Sequence, residues 1–183
     1  MAQITEGVRA ILGRPWIYDL FQNIMGAHRA RQQLVEENIR PLPGVKILDI
    51  GCGTAKILDY LPSVNYYGFD LSEEYIAEAE RQYPGRGTFD CKAVSADLIG
   101  ELGLFDIVLA FGVLHHLDDK EATDLITLAS SALKSGGRLV TIDPCYALDQ
   151  ARVARFLVSR DRGQNVRDLD GYSSLARQGF INV

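Results

Sequence analysis

Cysteine is scarce in this chain. Cys52, Cys91 and Cys145 are an odd set at wide spacings among 183 residues. That excludes a disulfide framework and any recognisable metal-finger pattern, and points to free thiols in a reducing compartment. Long apolar runs are also lacking, and the longest, Ile107 to Leu114, is far too short to cross a bilayer. The first residues carry Glu6 and Arg9 and no apolar stretch of signal length. Positive charge is not in excess. The formal net charge is -5, so bulk electrostatics invites neither nucleic acid nor an anionic lipid surface. Repeats and low-complexity tracts are absent. What remains is a chain of single-domain length, able to bury roughly 70% of its unfolded surface in one α/β core. The expectation is a cytoplasmic protein without a membrane or nucleic-acid partner.

The most informative stretch runs from Val45 to Leu58. Val45, Ile47, Leu48 and Ile50 form a short apolar run rich in β-branched residues, which reads as a buried parallel strand. Gly51 and Gly53 follow, allowing a sharp turn and leaving no Cβ in the way of a ligand. Thr54 is placed to cap a helix continuing through Ile57, Leu58 and Leu61. Strand, glycine turn and helix N-terminus together make a nucleotide cradle. About twenty residues on, the run Tyr66-Tyr67-Gly68-Phe69 ends in Asp70, an acid placed to accept both hydroxyls of a ribose.

Two features bear on which nucleotide it is. A dinucleotide fingerprint wants a third glycine where this chain has Lys56, and Asp49 sits two residues before the first glycine. A carboxylate at the cradle suits a ligand with a positive group better than one with two phosphates. S-adenosylmethionine, with an adenosine, an ammonium and no phosphate, satisfies both.

These residues resemble the class I S-adenosylmethionine-dependent methyltransferases of the small-molecule type. Leu48-Asp49-Ile50-Gly51-Cys52-Gly53-Thr54 is similar to that family's first motif, with Ala55 where the family often has glycine. Phe69-Asp70 is similar to its ribose acid, and Ser95-Ala96-Asp97-Leu98 to its adenine-reading turn. Phe105 to Ala110 with Gly112 to Leu117 resembles its fourth-strand motif, and Leu133 to Val140 the turn into its fifth strand. The resemblance spans residues 44–144 and implies a cofactor site around Asp49, Gly51, Cys52, Gly53, Asp70, Leu71, Ala96, Asp97, Leu98 and Phe111. Asp97 would take the adenine amino group and Leu98 cover the ring, unless Asp97 is only a helix cap or loop acid.

Elsewhere, Trp16 to Met25 and His28 to Ile39 read as amphipathic helices ahead of the linker Pro41-Leu42-Pro43-Gly44. Tyr18 and Gln22 share a helix face and are expected either to line the pocket or, for Tyr18, to pack with Phe21. Ser72 is read as the cap of a helix through Tyr75, Ile76 and Ala79, before a third strand near Thr88 to Ala93. His115 and His116 stand after the fourth strand. At most one is expected to act as a general base, the other holding a loop. A helix over Lys120 to Leu133 covers the sheet, and Asp143 and Tyr146 follow the fifth strand as candidate substrate contacts. Leu148 to Val158 reads as a helix, and the charge-dense stretch after it as a solvated loop or a substrate-facing insertion, with Arg162 or Arg167 gripping an anion. Tyr172 to Gln178 reads as a short helix, and Phe180 to Val183 as the start of a sixth strand.

Alternating strands and helices predict an α/β three-layer sandwich on a mostly parallel, doubly wound, Rossmann-like sheet. Residues 1–43 would form a helical lid, 44–144 the cofactor-binding core and 145–183 a substrate-side segment whose strand hairpin looks incomplete. An unpaired edge strand would call for a partner chain, so a homodimer is an option. The expected function is methyl transfer from S-adenosylmethionine to a small molecule. One rival is a cofactor-binding regulatory protein without catalysis. The other is an NAD(P)-dependent oxidoreductase, disfavoured by Lys56, Asp49 and the chain's length.

Overall fold

The computed structural model describes residues 27–147, 150–151, 155–156, 158 and 163–183. Tyr18, Gln22 and Arg162, and most of the expected helical lid, lie outside the described residues.

Helix α1, Ala27–Leu34, runs into a wider π-type turn, Val35–Ile39, which buries Val35 and Ile39. The core follows as β1 (Lys46–Ile50), β2 (Asn65–Asp70), α2 (Glu73–Gln82), β3 (Gly87–Cys91), α3 (Ala96–Leu102), β4 (Phe105–Phe111), α4 (Asp119–Ser131) and β5 (Leu133–Ile142). Ser72 caps α2 by accepting the Tyr75 N–H, and Asp118 and Glu121 form a capping box on α4.

The five strands make one parallel sheet in the order β3-β2-β1-β4-β5. Side chains alternate across it as strand geometry requires. Ile47, Ile107 and Leu109 pack on one face with Val35, Ile39, Leu58, Leu61, Tyr66 and Tyr83. Leu48 and Val108 pack on the other with Phe69, Ile99, Phe105, Ala129 and Ala132. The result is the expected three-layer α/β architecture. The strand order reverses between β1 and β4, so the crevice for a ligand opens at their carboxyl ends.

Three local expectations change. No helix capped by Thr54 follows the glycine turn. Lys56–Asp59 makes one 3-10 turn, and its N-cap is Ala55, without a side-chain cap bond. The chain has only Tyr60 to Val64 to return to β2, and Pro62 blocks continuation of the helix. Second, Phe180 to Val183 form no strand. Phe180 packs beside Leu175 in a third apolar cluster, while Ile181 is fully exposed. The Phe180 N–H bonds the Ala176 carbonyl and Gly179 O accepts from Ser130, which ties this segment to the ends of two helices. Third, Arg167 is not in a solvated loop. Arg167–Asp168 forms β7, paired in parallel with β6 (Cys145–Tyr146), and leads into helix α5, Leu169–Ala176. Among the described residues β5 has no strand on its outer side, and no helix is long and apolar enough to cross a membrane.

Candidate active site

The turn after β1 is held by its neighbour strand. Gly51 N–H and Cys52 N–H both donate to the Phe69 carbonyl, at 2.7 and 3.0 Å. Gly51 adopts φ +73°, and a Cβ there would stand 2.7 Å from Val113 Cγ2. Only glycine fits that conformation and that contact. Around Gly53 the position a Cβ would take is open, with no atom within 4 Å.

Asp70 ends β2 and faces this turn. Its Oδ2 accepts Gly53 N–H at 2.9 Å, and its Oδ1 accepts Ser72 N–H at 2.9 Å. Both oxygens are thereby oriented, and each keeps a further lone pair for a ligand. Asp49 lies in β1 at 2% exposure, with Oδ2 accepting the Tyr66 hydroxyl at 2.5 Å and Oδ1 buried with no partner among the described residues. Burial pushes Asp49 up to about 6; the Tyr66 hydrogen bond works against that, and the charge of Asp70 adds to it. Cys52 is half-buried, and burial first, then the charges of Asp49 and Asp70, drive its thiol far upward. It stays protonated and is a wall of the turn, not a nucleophile.

Leu71 follows Asp70 and is exposed. Ala96, Asp97 and Leu98 open α3. The cap is Ser95, whose Oγ accepts Leu98 N–H at 3.2 Å, which leaves the Asp97 side chain exposed in the first turn. Phe111 is half-buried at the end of β4, beside Gly112. The fold thus brings Asp49, Gly51, Cys52, Gly53 and Asp70 together at the ends of β1 and β2, with Phe111 on β4 and the start of α3 at the same edge of the sheet.

His115 and His116 sit in a 3-10 turn, Leu114–His116, with rings 4.0 Å apart. His115 is buried, and its Nδ1 lies 2.7 Å from Asp143 Oδ1. His116 is half-buried. Asp143, expected at the substrate side, lies against this turn. Its side chain is 3% exposed, with Oδ1 on His115 and, among the described residues, Oδ2 buried with no partner. Tyr146 is half-buried on β6, with the Arg155 guanidinium 5.5 Å from its ring. Arg167 turns inward, onto backbone carbonyls and the Asp119 carboxylate. Its Nη1 donates to the carbonyls of Leu114 and Asn165, both at 3.0 Å, and its Nη2 to the Leu117 carbonyl at 3.0 Å and Asp119 at 2.8 Å. Those acceptors saturate the guanidinium fork and pin β7 to the His115 turn.

Two relationships escaped the sequence reading, the Tyr66–Asp49 bond and the His115–Asp143 pair. Neither has a local signal, because each joins neighbouring strands of the sheet. The one hint was a glycine at both 68 and 87, flanking a tyrosine in adjacent strands.

A sequence model described as a methyltransferase domain matches residues 48–139, half of the chain. The chain belongs to the class I S-adenosylmethionine-dependent methyltransferase family. This methyltransferase domain is 30% identical over 142 residues to a ubiquinone biosynthesis O-methyltransferase of Sinorhizobium fredii, covering 75% of the chain and 56% of that protein. It is 28% identical over 135 residues to an uncharacterized methyltransferase of Synechocystis, covering 70% of the chain and 63% of that protein. The chain therefore spans about three fifths of the length of the curated relatives it matches. Among solved structures, the pyocyanin biosynthetic protein PhzM matches with a TM-score of 0.70 at 20% identity, covering 96% of this chain and 56% of that one. The calicheamicin methyltransferase CalO1, solved with S-adenosylhomocysteine bound, matches with a TM-score of 0.62 at 18% identity, covering 96% of this chain and 55% of that one. Those likenesses establish the methyltransferase fold.

Proposed function

We propose that this methyltransferase domain binds S-adenosylmethionine and transfers a methyl group to a small-molecule acceptor. The observation that carries the reading is Asp70, a carboxylate aimed by two backbone N–H groups, at the mouth of a glycine turn with open space at Gly53. Such an acid suits the vicinal hydroxyls of a ribose. Buried Asp49, with one oxygen unpartnered, suits a ligand with a cationic group. The start of α3, with Ala96, Asp97 and Leu98, would lie against the adenine, and Leu71, Cys52 and Phe111 would wall the site. A dinucleotide fits less well. One 3-10 turn replaces the long helix whose N-terminus would face a pyrophosphate, and Lys56 turns away to bond Gln82 at 2.9 Å.

The cofactor supplies an activated methyl group on a sulfonium when bound. The chain's own work is to hold the nucleoside, align the acceptor and exclude water. Relatives named as O-methyltransferases point to a hydroxyl acceptor, which must give up a proton. His115 is the base we assign. With Nδ1–H donated to Asp143, Nε2 is the nitrogen that would take the proton. Tyr146 is assigned to the acceptor side.

Calorimetric titration with S-adenosylhomocysteine, with NAD as control, tests the cofactor reading. The expected result is binding of S-adenosylhomocysteine alone. Binding of NAD alone would overturn it, and cofactor binding without turnover on a broad panel of hydroxyl, amine and carbon acceptors would favour a regulatory protein.

A further inference from the structure

We infer that Tyr66 is a positioning residue whose hydroxyl holds Asp49 as an oriented anion behind the glycine turn, and thereby sets the site's preference for a nucleoside that carries an ammonium group. The inference rests on the cofactor reading above and deepens it.

Strand register starts the argument. Asp49 sits opposite Gly68 in β2 and Leu109 in β4, on the sheet face that carries Tyr66. The Tyr66 ring fills a slot that two glycines open for it. A Cβ at Gly68 would stand 2.9 Å from Tyr66 Cε1, and one at Gly87 would stand 2.8 Å from Tyr66 Cδ1. Real side chains do not pack that closely, so an alanine at either position displaces the ring. Phe89 closes the slot with its ring centroid 5.8 Å away. The tyrosine is 2% exposed and its hydroxyl reaches Asp49 Oδ2 at 2.5 Å.

Among the described residues, the groups facing Asp49 leave it without a cation. From β2 come Tyr66 and Asp70, from the turn Cys52, and from the segment after α2 Tyr83, whose effect passes through Tyr66. From β4 comes the apolar Leu109. Lys46 and Lys56, the basic residues of this stretch, are engaged by the Leu102 carbonyl and by Gln82. Oδ1 of Asp49 is buried with no hydrogen-bond partner among the described residues. A buried carboxylate with one oxygen tied and one orphaned is an incomplete ion pair, and a ligand ammonium completes it. Tyr66 is suited to be the fixed donor. Burial drives its phenol well above the ordinary range, so it keeps its proton at every usable pH. Asp49, by contrast, gains or loses its charge near neutrality.

The test measures binding of S-adenosylhomocysteine and of 5′-methylthioadenosine, which has the same nucleoside but no ammonium, at about pH 5.5 and about pH 7.5. Wild type should prefer S-adenosylhomocysteine, and the preference should shrink several-fold, on the order of the ionised fraction of Asp49, at the lower pH. Tyr66→Phe should weaken S-adenosylhomocysteine by about tenfold at the lower pH and by about twofold at the higher, with 5′-methylthioadenosine unchanged. Asp49→Asn should abolish both the preference and its pH dependence. Should Tyr66→Phe fail to fold, Gly87→Ala shifts the ring without removing the hydroxyl and should produce the same selective loss in milder form. Equal weakening of both ligands, or no change in either, in Tyr66→Phe or its substitute would make Tyr66 a packing residue and overturn the inference alone. A wild-type protein that binds neither ligand overturns the cofactor reading and the inference with it.

Discussion

His115 Nδ1 lies 2.7 Å from Asp143 Oδ1, and the same oxygen accepts the His115 backbone N–H at 3.1 Å. One carboxylate thus fixes both the ring and the main chain of the turn after β4. Asp143→Ala should leave two buried donors unpaired and lower stability by about 2–4 kcal/mol in urea melts. With His115 as the proposed base, turnover should fall a further 10²-fold or so at fixed cofactor affinity. Equal losses in cofactor binding and turnover would make the pair purely structural.

Gly163 packs directly on His115. A Cβ at Gly163 would lie 2.1 Å from His115 Cδ2 and 2.6 Å from the His115 carbonyl oxygen. The second contact is backbone and has no rotamer to escape into. Gly163→Ala should cost about 1–3 kcal/mol and lower the melting temperature, while a melt unchanged from wild type would show that the segment can lift off freely.

Asp70→Ala should weaken S-adenosylhomocysteine binding by about 1–3 kcal/mol, the loss of charge-assisted hydrogen bonds to a ribose. It also frees the Gly53 and Ser72 N–H groups that now orient the turn. Calorimetry on the folded variant decides; an unchanged affinity would place the ribose elsewhere.

Asp49 trades stability for charge. Burial raises it to about 6, so the folded chain holds this proton more tightly than the unfolded chain does. The contribution to stability is therefore full below about pH 4 and is lost as pH rises through about 6, a span worth on the order of 3 kcal/mol. Asp49→Asn should match wild type in urea melts near about pH 4 and exceed it by about 1–3 kcal/mol at about pH 7.5 in the absence of ligand. A variant less stable than wild type at the higher pH would refute the assignment of burial as the cause.

Ala55 holds a left-handed conformation, φ 54°, at 1% exposure. Ala55→Gly should change stability by less than about 1 kcal/mol, because relief of the left-handed strain offsets the lost methyl and the added freedom of the unfolded chain. Ala55→Val puts a β-branched side chain at positive φ and should cost about 2 kcal/mol or more in the same melts.

By itself the sequence determined the elements whose signals are local. The apolar runs at Ile47 to Ile50 and Phe105 to Phe111, with amphipathic helices between them, pointed to a parallel sheet, because parallel neighbours need a long crossover and a helix supplies it. The turn at Gly51 and Gly53 and the acid at Asp70 were legible because one strand and one crossover set their spacing. Tertiary structure alone decided which donors meet which carboxylates. Tyr66 meets Asp49 from 17 residues away, and His115 meets Asp143 from 28. Nothing in composition or periodicity encodes that choice, since it depends on the register in which β2 and β5 settle beside β1 and β4. Arg167 shows the same limit. In sequence it is one charge among many, and only the packing of β7 against the Leu114 to Leu117 turn turns its guanidinium inward onto three carbonyls and Asp119. Burial makes those hydrogen bonds worth keeping, and burial is a property of the assembled fold.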